Sequence, residues 1–439
     1  MNSAPLTKSD ATVVSSARGL DTLAYVALWL FVLTISWSDA IPMIGGFVIG
    51  TWFGLLAVVL GLMRVYVFGS SRPLTPLHLW MLVFVAWAAL SILWTIDPAN
   101  AISRAGTYTQ LLISAWLIWE LAEKESRVVG LLLAYLLGTV LGSVTTLFNY
   151  WIGRASAQFI DTSGGSVWDQ NRYSIDGFNA NDLGLTLALG MPIAFYLMTR
   201  KRGFGWFAAL WLMVIVCTSA ILLTGSRGSL LALLAGSTFI PLLITRMAPG
   251  RRTACICLCV ALVLGSVLLT PGSMLTRYQN MFGEVQGGTL TNRTLIWTAG
   301  LDVFRDHPLL GTGAGSYGAA VLRAIDKAYV AHNTFLSVLV ELGVVGAILF
   351  CGLLAAVFVA ALQMPHRERY LWLALFITWA VGVSALTWEY RKPTWFLFAL
   401  LATHAYSLRA VVRRPVLSAV KSPLPPWEQP FSPRTVDTL

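Results

Sequence analysis

The chain has 439 residues, of which 57% are hydrophobic and only 11% charged, with 18 tryptophans and a mean hydropathy of +0.72. Soluble proteins carry about 25% charged residues, so a water-soluble globular enzyme is excluded and an all-α polytopic integral membrane protein is indicated. The net charge of +10 and pI near 9.6 come with no nucleic-acid module, and nucleic acid is not expected as a partner.

In chain order, residues 1–19 form a polar tail with Lys8 and Arg18. It lacks the pattern of a cleaved signal, so the first span is expected to be retained. About twelve apolar runs follow within a membrane domain spanning 20–410, each near the roughly twenty residues a bilayer requires. They begin near Leu20, Ile44, Leu77, Leu111, Val128, Asn181, Phe204, Ser229, Ala254, Ala331, Leu371 and Thr394. The tenth, from Ala331 towards Leu362, is the longest and is expected to tilt or project as one helix. Residues 411–439, with Ser422-Pro423-Leu424-Pro425-Pro426, read as a disordered cytoplasmic tail. No internal repeat and no inverted pair of broken helices stands out. The cysteines, 217, 255, 257, 259 and 351, all sit in apolar runs and read as small apolar packing residues.

Lysines and arginines orient the chain. With both termini cytoplasmic, 19 of the 30 basic residues fall inside, and every inside connection carries at least two. The clusters Arg200-Lys201-Arg202 and Arg246 to Arg252 are then topogenic. The other 11 are Arg104, Arg154, Arg172, Arg227, Arg277, Arg293, Arg305, Arg323, Lys327, Arg391 and Lys392. They concentrate in two long outer loops, 152–180 and 271–330, and at the outer ends of spans. Topology does not require them there, and loops of this length tend to be functional.

Four constellations stand on that side. Thr224-Gly225-Ser226-Arg227-Gly228-Ser229 offers a turn and a guanidinium fork suited to phosphate oxygens, or, more plainly, a hairpin with a snorkelling arginine. Arg172 lies in the first loop ahead of Asn181 and Asp182, which read as ordinary helix N-caps. In the second loop, Arg293-Thr294-Leu295-Ile296-Trp297 precedes His307-Pro308-Leu309-Leu310-Gly311-Thr312-Gly313-Ala314-Gly315-Ser316-Tyr317. That glycine run has no preceding strand, so it is read as a tight turn and not as a dinucleotide fingerprint. His307 reads as a capping or turn residue. Finally, Ala331-His332-Asn333-Thr334 re-enters the membrane, and a histidine set among arginines points to a site for an anionic substrate. Glu341 is too far along its helix to reach His332, so Glu389, in Trp388-Glu389-Tyr390-Arg391-Lys392, is expected to orient the imidazole. The plainer reading of His332 is an N-cap. No paired carboxylates occur in the first outer connection, where Asp39 is isolated, so no metal is expected and arginines would neutralise charge in its place.

Many spans, with Leu223-Thr224-Gly225-Ser226-Arg227-Gly228, Arg293-Thr294 to Trp297, the run His307 to Gly313, and Ala331-His332-Asn333-Thr334-Phe335-Leu336, together resemble the O-antigen ligase and polymerase superfamily over roughly residues 160–400. The resemblance implies a metal-independent, inverting, type-C-like glycosyltransferase of the bacterial inner membrane, needing no cofactor and acting at the periplasmic face. Its donor would be an O-antigen glycan on undecaprenyl diphosphate. Its acceptor would be the lipid A-core oligosaccharide (ligase), another carrier-linked glycan (polymerase) or a protein hydroxyl (O-oligosaccharyltransferase), with the ligase foremost. By the same resemblance His332, Arg293 and Glu389 are the catalytic candidates, with an aspartate expected at the last position in some members. Arg227, Arg293 and Arg172 would bind the diphosphate, with Asn333 and Arg391 as further candidates. A lipid-linked glycan transporter would place charges within the spans, and a scaffold would not need His332 among external arginines.

Overall fold

The computed structural model describes residues 8–37, 48–69, 71–155, 172–201, 203–279 and 293–419, with side chains between residues 18 and 409. The described residues are helical and contain no strand. In order the helices are α1 (Lys8–Thr34), α2 (Ile49–Phe68), α3 (Pro76–Leu90), α4 (Pro98–Leu121), α5 (Glu125–Trp151), α6 (Ala180–Arg200), α7 (Phe204–Leu223), α8 (Arg227–Ser237), α9 (Ile240–Ile244), α10 (Pro249–Leu269) and α11 (Gly272–Gln279). They continue with α12 (Arg293–Asp306), α13 (Tyr317–Ile325), α14 (Thr334–Leu362), α15 (His366–Val383) and α16 (Lys392–Ala419).

Eight segments among the described residues are long and apolar enough to cross a membrane: α2, α3 with its short 3-10 extension, α5, α6, α7, α8 with α9, α10 and α14. The other four expected spans overlap the helices α1, α4, α15 and α16, which are not among those eight, and α4 starts at Pro98, well ahead of the expected Leu111. The protein is thus an all-α, multi-pass membrane protein. Helix α1 starts at Lys8, ahead of the expected Leu20, and α16 continues to Ala419, beyond the expected boundary at 410. Most of the first outer loop, residues 280–292 of the second, and residues 420–439 lie outside the described residues.

Helix α6 is the hub. Every residue from Leu183 to Met198 is buried, and it packs on α5, α7, α8 and α15. Its residues are apolar on all faces, which is how a helix surrounded by others reads. Small residues let neighbours close in: a Cβ on Gly184 would stand 2.6 Å from Ser229 Oγ. By contrast α10 buries only Cys255 fully and turns Val263, Leu264, Val267 and Leu268 outward, as a lipid-facing helix should.

The ion pairs sort by end of the bundle. Arg64 holds Glu120 at 3.0 Å and Asp21 at 3.1 Å, Arg127 also reaches Asp21, and Arg200 reaches Glu125. At the other end Arg391 meets Asp182 at 3.1 Å, and Arg104 lies 3.5 Å from Glu389. The arginines of the first set are ones expected inside and those of the second are ones expected outside.

One expectation is corrected. The run from Ala331 towards Leu362 is not a single straight helix, because Gly343 breaks α14 at φ 67° and ψ −170°, a region open essentially to glycine alone. The break exposes carbonyls that the glycine-rich loop satisfies: Thr312 N donates to Val340 O at 3.0 Å and Gly313 N to Glu341 O at 2.7 Å. Val344 N donates back to Pro308 O at 2.8 Å, and Trp87 Nε1 to Leu342 O at 3.1 Å. The glycines are there for close approach, since a Cβ on Gly311 would lie 2.5 Å from the Glu341 backbone. Thus residues 307–317 thread through the kink, and they carry α12 and α13 with them.

Candidate active site at the outer end

The turn Thr224-Gly225-Ser226 joins α7 to α8. Thr224 Oγ1 donates back to Ile221 O at 2.6 Å, closing α7, and Ser226 Oγ accepts from Ser229 N at 3.3 Å, capping α8. Arg227 is therefore the first residue of α8, at the end of a helix whose dipole favours anions. Two further arginines grip the turn. Arg172, 2% exposed, donates from Nε to Thr224 O and from Nη2 to Asn181 Oδ1, both at 2.7 Å. Arg277 donates from Nε to Gly225 O at 3.0 Å.

The start of α6 is corrected in detail. Asn179, not Asn181 or Asp182, is its N-cap, accepting from Asn181 N at 2.8 Å. Asn181 is left to hold Arg172. Asp182 accepts from Trp388 Nε1 at 2.8 Å and from Arg391 Nη2 at 3.1 Å. The connection between α15 and α16 is in turn sewn to the head of α14: Trp388 N donates to Thr334 Oγ1, and Thr334 Oγ1 to Leu386 O, each at 2.8 Å.

His332 stands immediately before that helix. It does not cap α14; Asn333 does, its Oδ1 accepting from Leu336 N at 3.0 Å. His332 has φ +47°, a left-handed conformation that costs a non-glycine residue about 1 kcal/mol or more. Strain of this kind is held where surrounding structure dictates it. Here Trp297 Nε1 of α12 donates to Ala331 O at 2.9 Å, and Tyr317 OH of α13 to Ile296 O at 2.9 Å, over a small core of Ile296, Val321 and Val340. Arg293 lies one turn before Trp297 on α12. Burial first, and then the Arg293 charge, push the His332 imidazole down to about 4.

Glu389 is not the partner of His332. Its carboxylate accepts from Ser337 Oγ at 3.1 Å and lies 3.5 Å from Arg104 Nη1. It is 1% exposed, and burial together with the charge of Glu341 raises it to about 7, against the pull of Arg104. Arg104 also stacks over Tyr390, 3.4 Å from the ring centre. Glu341, buried one helical turn beyond Ser337, receives Gly315 N at 2.7 Å and Tyr317 N at 3.3 Å, so it fastens the glycine loop. His307 is exposed at the end of α12, where its carbonyl accepts from Gly311 N.

A connected set of contacts therefore runs from the arginine turn through Asn181, Asp182, Trp388 and Thr334 to His332 and α12. It gathers Arg172, Arg227, His332, Asn333, Glu389 and Arg391 at one end, with Arg293 beside His332. Arg104, Asp182, Arg277 and Glu341 join them; the sequence placed Arg104 and Arg277 among the outer basic residues but assigned none of the four a role in the site. A signal existed for Glu341, an acid inside an apolar helix, but none placed Arg104 across the bundle.

Residues 208–351 match the family described as O-Antigen ligase. The match spans α7 to the first half of α14 and so contains Arg227, Arg277, Arg293, His332 and Glu341, while Arg172, Asp182, Glu389 and Arg391 lie beyond it. The chain is 23% identical over 309 residues to the exopolysaccharide production protein ExoQ of Rhizobium meliloti, covering 66% of this chain and 67% of that one. It is 27% identical over 354 residues to the O-antigen ligase of Pseudomonas aeruginosa, covering 77% and 79%. The segment from α7 to α14, which brings the arginine turn and His332 to one end of the bundle, is thus the part of the chain that is similar to the O-antigen ligase family.

Proposed function

We propose that this protein transfers O-antigen polysaccharide from undecaprenyl diphosphate to the lipid A-core oligosaccharide, at the periplasmic face of the bacterial inner membrane. The chemistry is inverting and metal-independent glycosyl transfer, on a type-C-like scaffold of about twelve spans. What carries this reading is His332, buried at the head of α14 within the field of Arg293, in a network that also holds the turn before Arg227. An acceptor hydroxyl oxygen attacks the anomeric carbon as the bond to the diphosphate breaks. His332 takes the hydroxyl proton, and the undecaprenyl diphosphate leaves against guanidinium charge.

A histidine pushed down to about 4 is neutral at periplasmic pH but a weak base. The donor supplies the remedy. A diphosphate beside Arg293 offsets that arginine's share of the lowering, while burial, the larger cause, remains, so the base strengthens in part when the leaving group is in place. Arg227 and Arg293 hold the diphosphate in this scheme, while Arg172 acts through the turn it grips. Glu389 is assigned to the Arg104–Ser337 cluster behind α14, not to the imidazole.

A second reading, polymerisation of a carrier-linked glycan, draws on the likeness to an exopolysaccharide production protein. The deciding experiment uses purified protein in detergent with labelled carrier-linked glycan, offered lipid A-core or a second carrier-linked glycan. Label on lipid A-core, lost in His332→Ala and retained in EDTA, is the expected result. Label only on the second carrier favours the polymerase, label on protein the O-oligosaccharyltransferase, and no transfer in one compartment a transporter. EDTA inhibition reversed by Mg²⁺ overturns the metal-independent chemistry.

A further inference from the structure

Behind the outer site, several elements press polar groups into one buried corner. Arg104 of α4 has its guanidinium 3.5 Å from Glu389 Oε1 and 3.4 Å from the centre of the Tyr390 ring, and its Cβ stands 3.4 Å from a Cβ built on Gly315. Ser337 Oγ donates to Glu389 Oε1 at 3.1 Å and also acts on Glu341, one turn further along α14. Glu389 Oε2 is buried with no partner among the described residues. Tyr108 of α4, Tyr317 of α13 and Tyr390 complete the corner, and Arg391, on the far side of Tyr390, is held by Asp182 of α6. Tyrosines ordinarily titrate near about 10. From pH 5 to pH 8 the charges in play are therefore Arg104 and the two carboxyls.

Hydrogens and charges do not balance with both acids ionised. A serine hydroxyl has one hydrogen, so between two carboxyls it donates to one and can only accept from the other, which requires a proton on that side. One guanidinium offsets one carboxylate, and a second buried carboxylate without its own partner charge is costly. The corner therefore holds a single proton along Glu341, Ser337 and Glu389, and is neutral while it does. What depends on it reaches the site. Glu341 accepts from Tyr317 N at 3.3 Å, Tyr317 OH donates to Ile296 O of α12, and Trp297 Nε1 of the same helix donates to Ala331 O, next to His332. We propose that Arg104 is a positioning residue for His332: it neutralises an acid pair that shares one proton through Ser337, and so steadies the carboxyl that fastens Tyr317; this rests on the reading of His332 as the base of a transferase. With the proton gone, two anions face one cation, the carboxyls part, and the left-handed backbone at His332 loses its brace.

Two readouts test this in the full-length protein in detergent. The first is the pH profile of transfer. Burial and the charge of Glu341 raise Glu389 to about 7 against the pull of Arg104, so wild-type kcat should fall as pH rises through about 7. Glu389→Gln leaves one acid to one guanidinium, and that limb should move above pH 8 whatever the height of its plateau. Arg104→Gln should lower kcat by about ten- to a hundredfold with donor KM within about twofold, and Arg104→Lys, which keeps the charge, should restore most of the loss. The second readout needs no substrate: hydrogen exchange at the Tyr317 amide, corrected for its intrinsic pH dependence. An acid raised in the folded state loses its stabilising share between its unfolded value and its folded one. Wild-type protection should therefore drop by about tenfold or more from pH 5 to pH 8, while Glu389→Gln stays level. A kcat limb at the same pH in Glu389→Gln, a Tyr317 amide that responds to pH alike in both proteins, or Arg104→Lys no better than Arg104→Gln overturns the proposal. Absence of transfer in every protein, with the Tyr317 contrast intact, overturns the transferase reading and leaves the acid pair as the fastening of the loop.

Discussion

Alanine at Gly343 should unlock the loop that positions the outer site. The residue sits at φ 67° and ψ −170°, where a side chain costs about 1–3 kcal/mol. The new Cβ would also stand 2.2 Å from Leu309 O and 2.7 Å from Gly311 N, so the loop must retreat. Retreat breaks Thr312 N to Val340 O, Gly313 N to Glu341 O and Val344 N to Pro308 O, at about 1 kcal/mol each. If α14 straightens instead, it regains helical bonds and the roughly 1 kcal/mol advantage of alanine over glycine, but the loop is expelled all the same. The net cost to the docked state is about 3–5 kcal/mol, which raises the undocked population roughly a hundredfold to a few thousandfold. Amide hydrogen exchange reads this directly, because local opening sets the rate at Thr312, Gly313 and Val344. Gly265→Ala, on an open face, serves as the control. Protection at those three amides within a few fold of wild type would refute the threading argument.

The remaining expectations concern the site itself. Because the His332 imidazole lies at about 4, the acid limb of kcat/KM should fall well below pH 6.5, with the limb of kcat displaced upward by bound diphosphate; a kcat limb at or below that of kcat/KM would count against charge offset at Arg293. Arg293→Lys keeps charge but loses the planar fork, so transfer should drop without recovering fully, and Arg293→Ala should cost about 3–4 kcal/mol in activation free energy; turnover near wild type in Arg293→Ala would remove it from the site. Glu389, raised to about 7, holds its proton in the folded state above the pH at which the unfolded chain loses it, so its stabilising share is lost as pH rises from about 4.5 through 7. Glu389→Gln should therefore melt higher relative to wild type at pH 8 than at pH 5, and a reversed order would contradict the raised value.

The residue groups that could be found by reading along the chain are those whose reasons are local. Twenty-residue apolar runs, the sidedness of basic residues, and a histidine poised between loop and span all follow from bilayer thickness and charge. A cap at the head of α14, read on His332 and found on the next residue, Asn333, and the glycine run as a site of close packing were legible in kind, because capping and small-residue contacts leave short signatures. What stayed hidden depends on which helices meet. Arg104 and Glu389 are 285 residues apart, yet lie 3.5 Å from each other, and Asp182 is claimed by Trp388 and Arg391 from the other end of the chain. Sequence spacing put Glu341 out of reach of His332, correctly, but could not show that its partners are the amides of Gly315 and Tyr317. The break at Gly343 was invisible for a related reason: glycine in an apolar run is common, and only the incoming Leu309 carbonyl makes this one indispensable.

Two acids near one arginine explain why Glu389 is better placed as a support than as the partner of His332. Glu341 and Glu389 both act on Arg104, which offers one positive charge to two buried carboxyls. Like charges that close in a low-dielectric site cannot both ionise cheaply, so one must keep its proton near neutral pH. Glu341 receives two backbone amides, whereas Glu389 accepts from Ser337 and lies at the edge of Arg104. Burial and the charge of Glu341 raise Glu389 to about 7, and a carboxyl so raised draws an imidazole into its basic tautomer less than an ordinary carboxylate would. His332 instead responds to what arrives at Arg293, the second cause of its lowering after burial, which makes the donor's own charge one element that prepares the base.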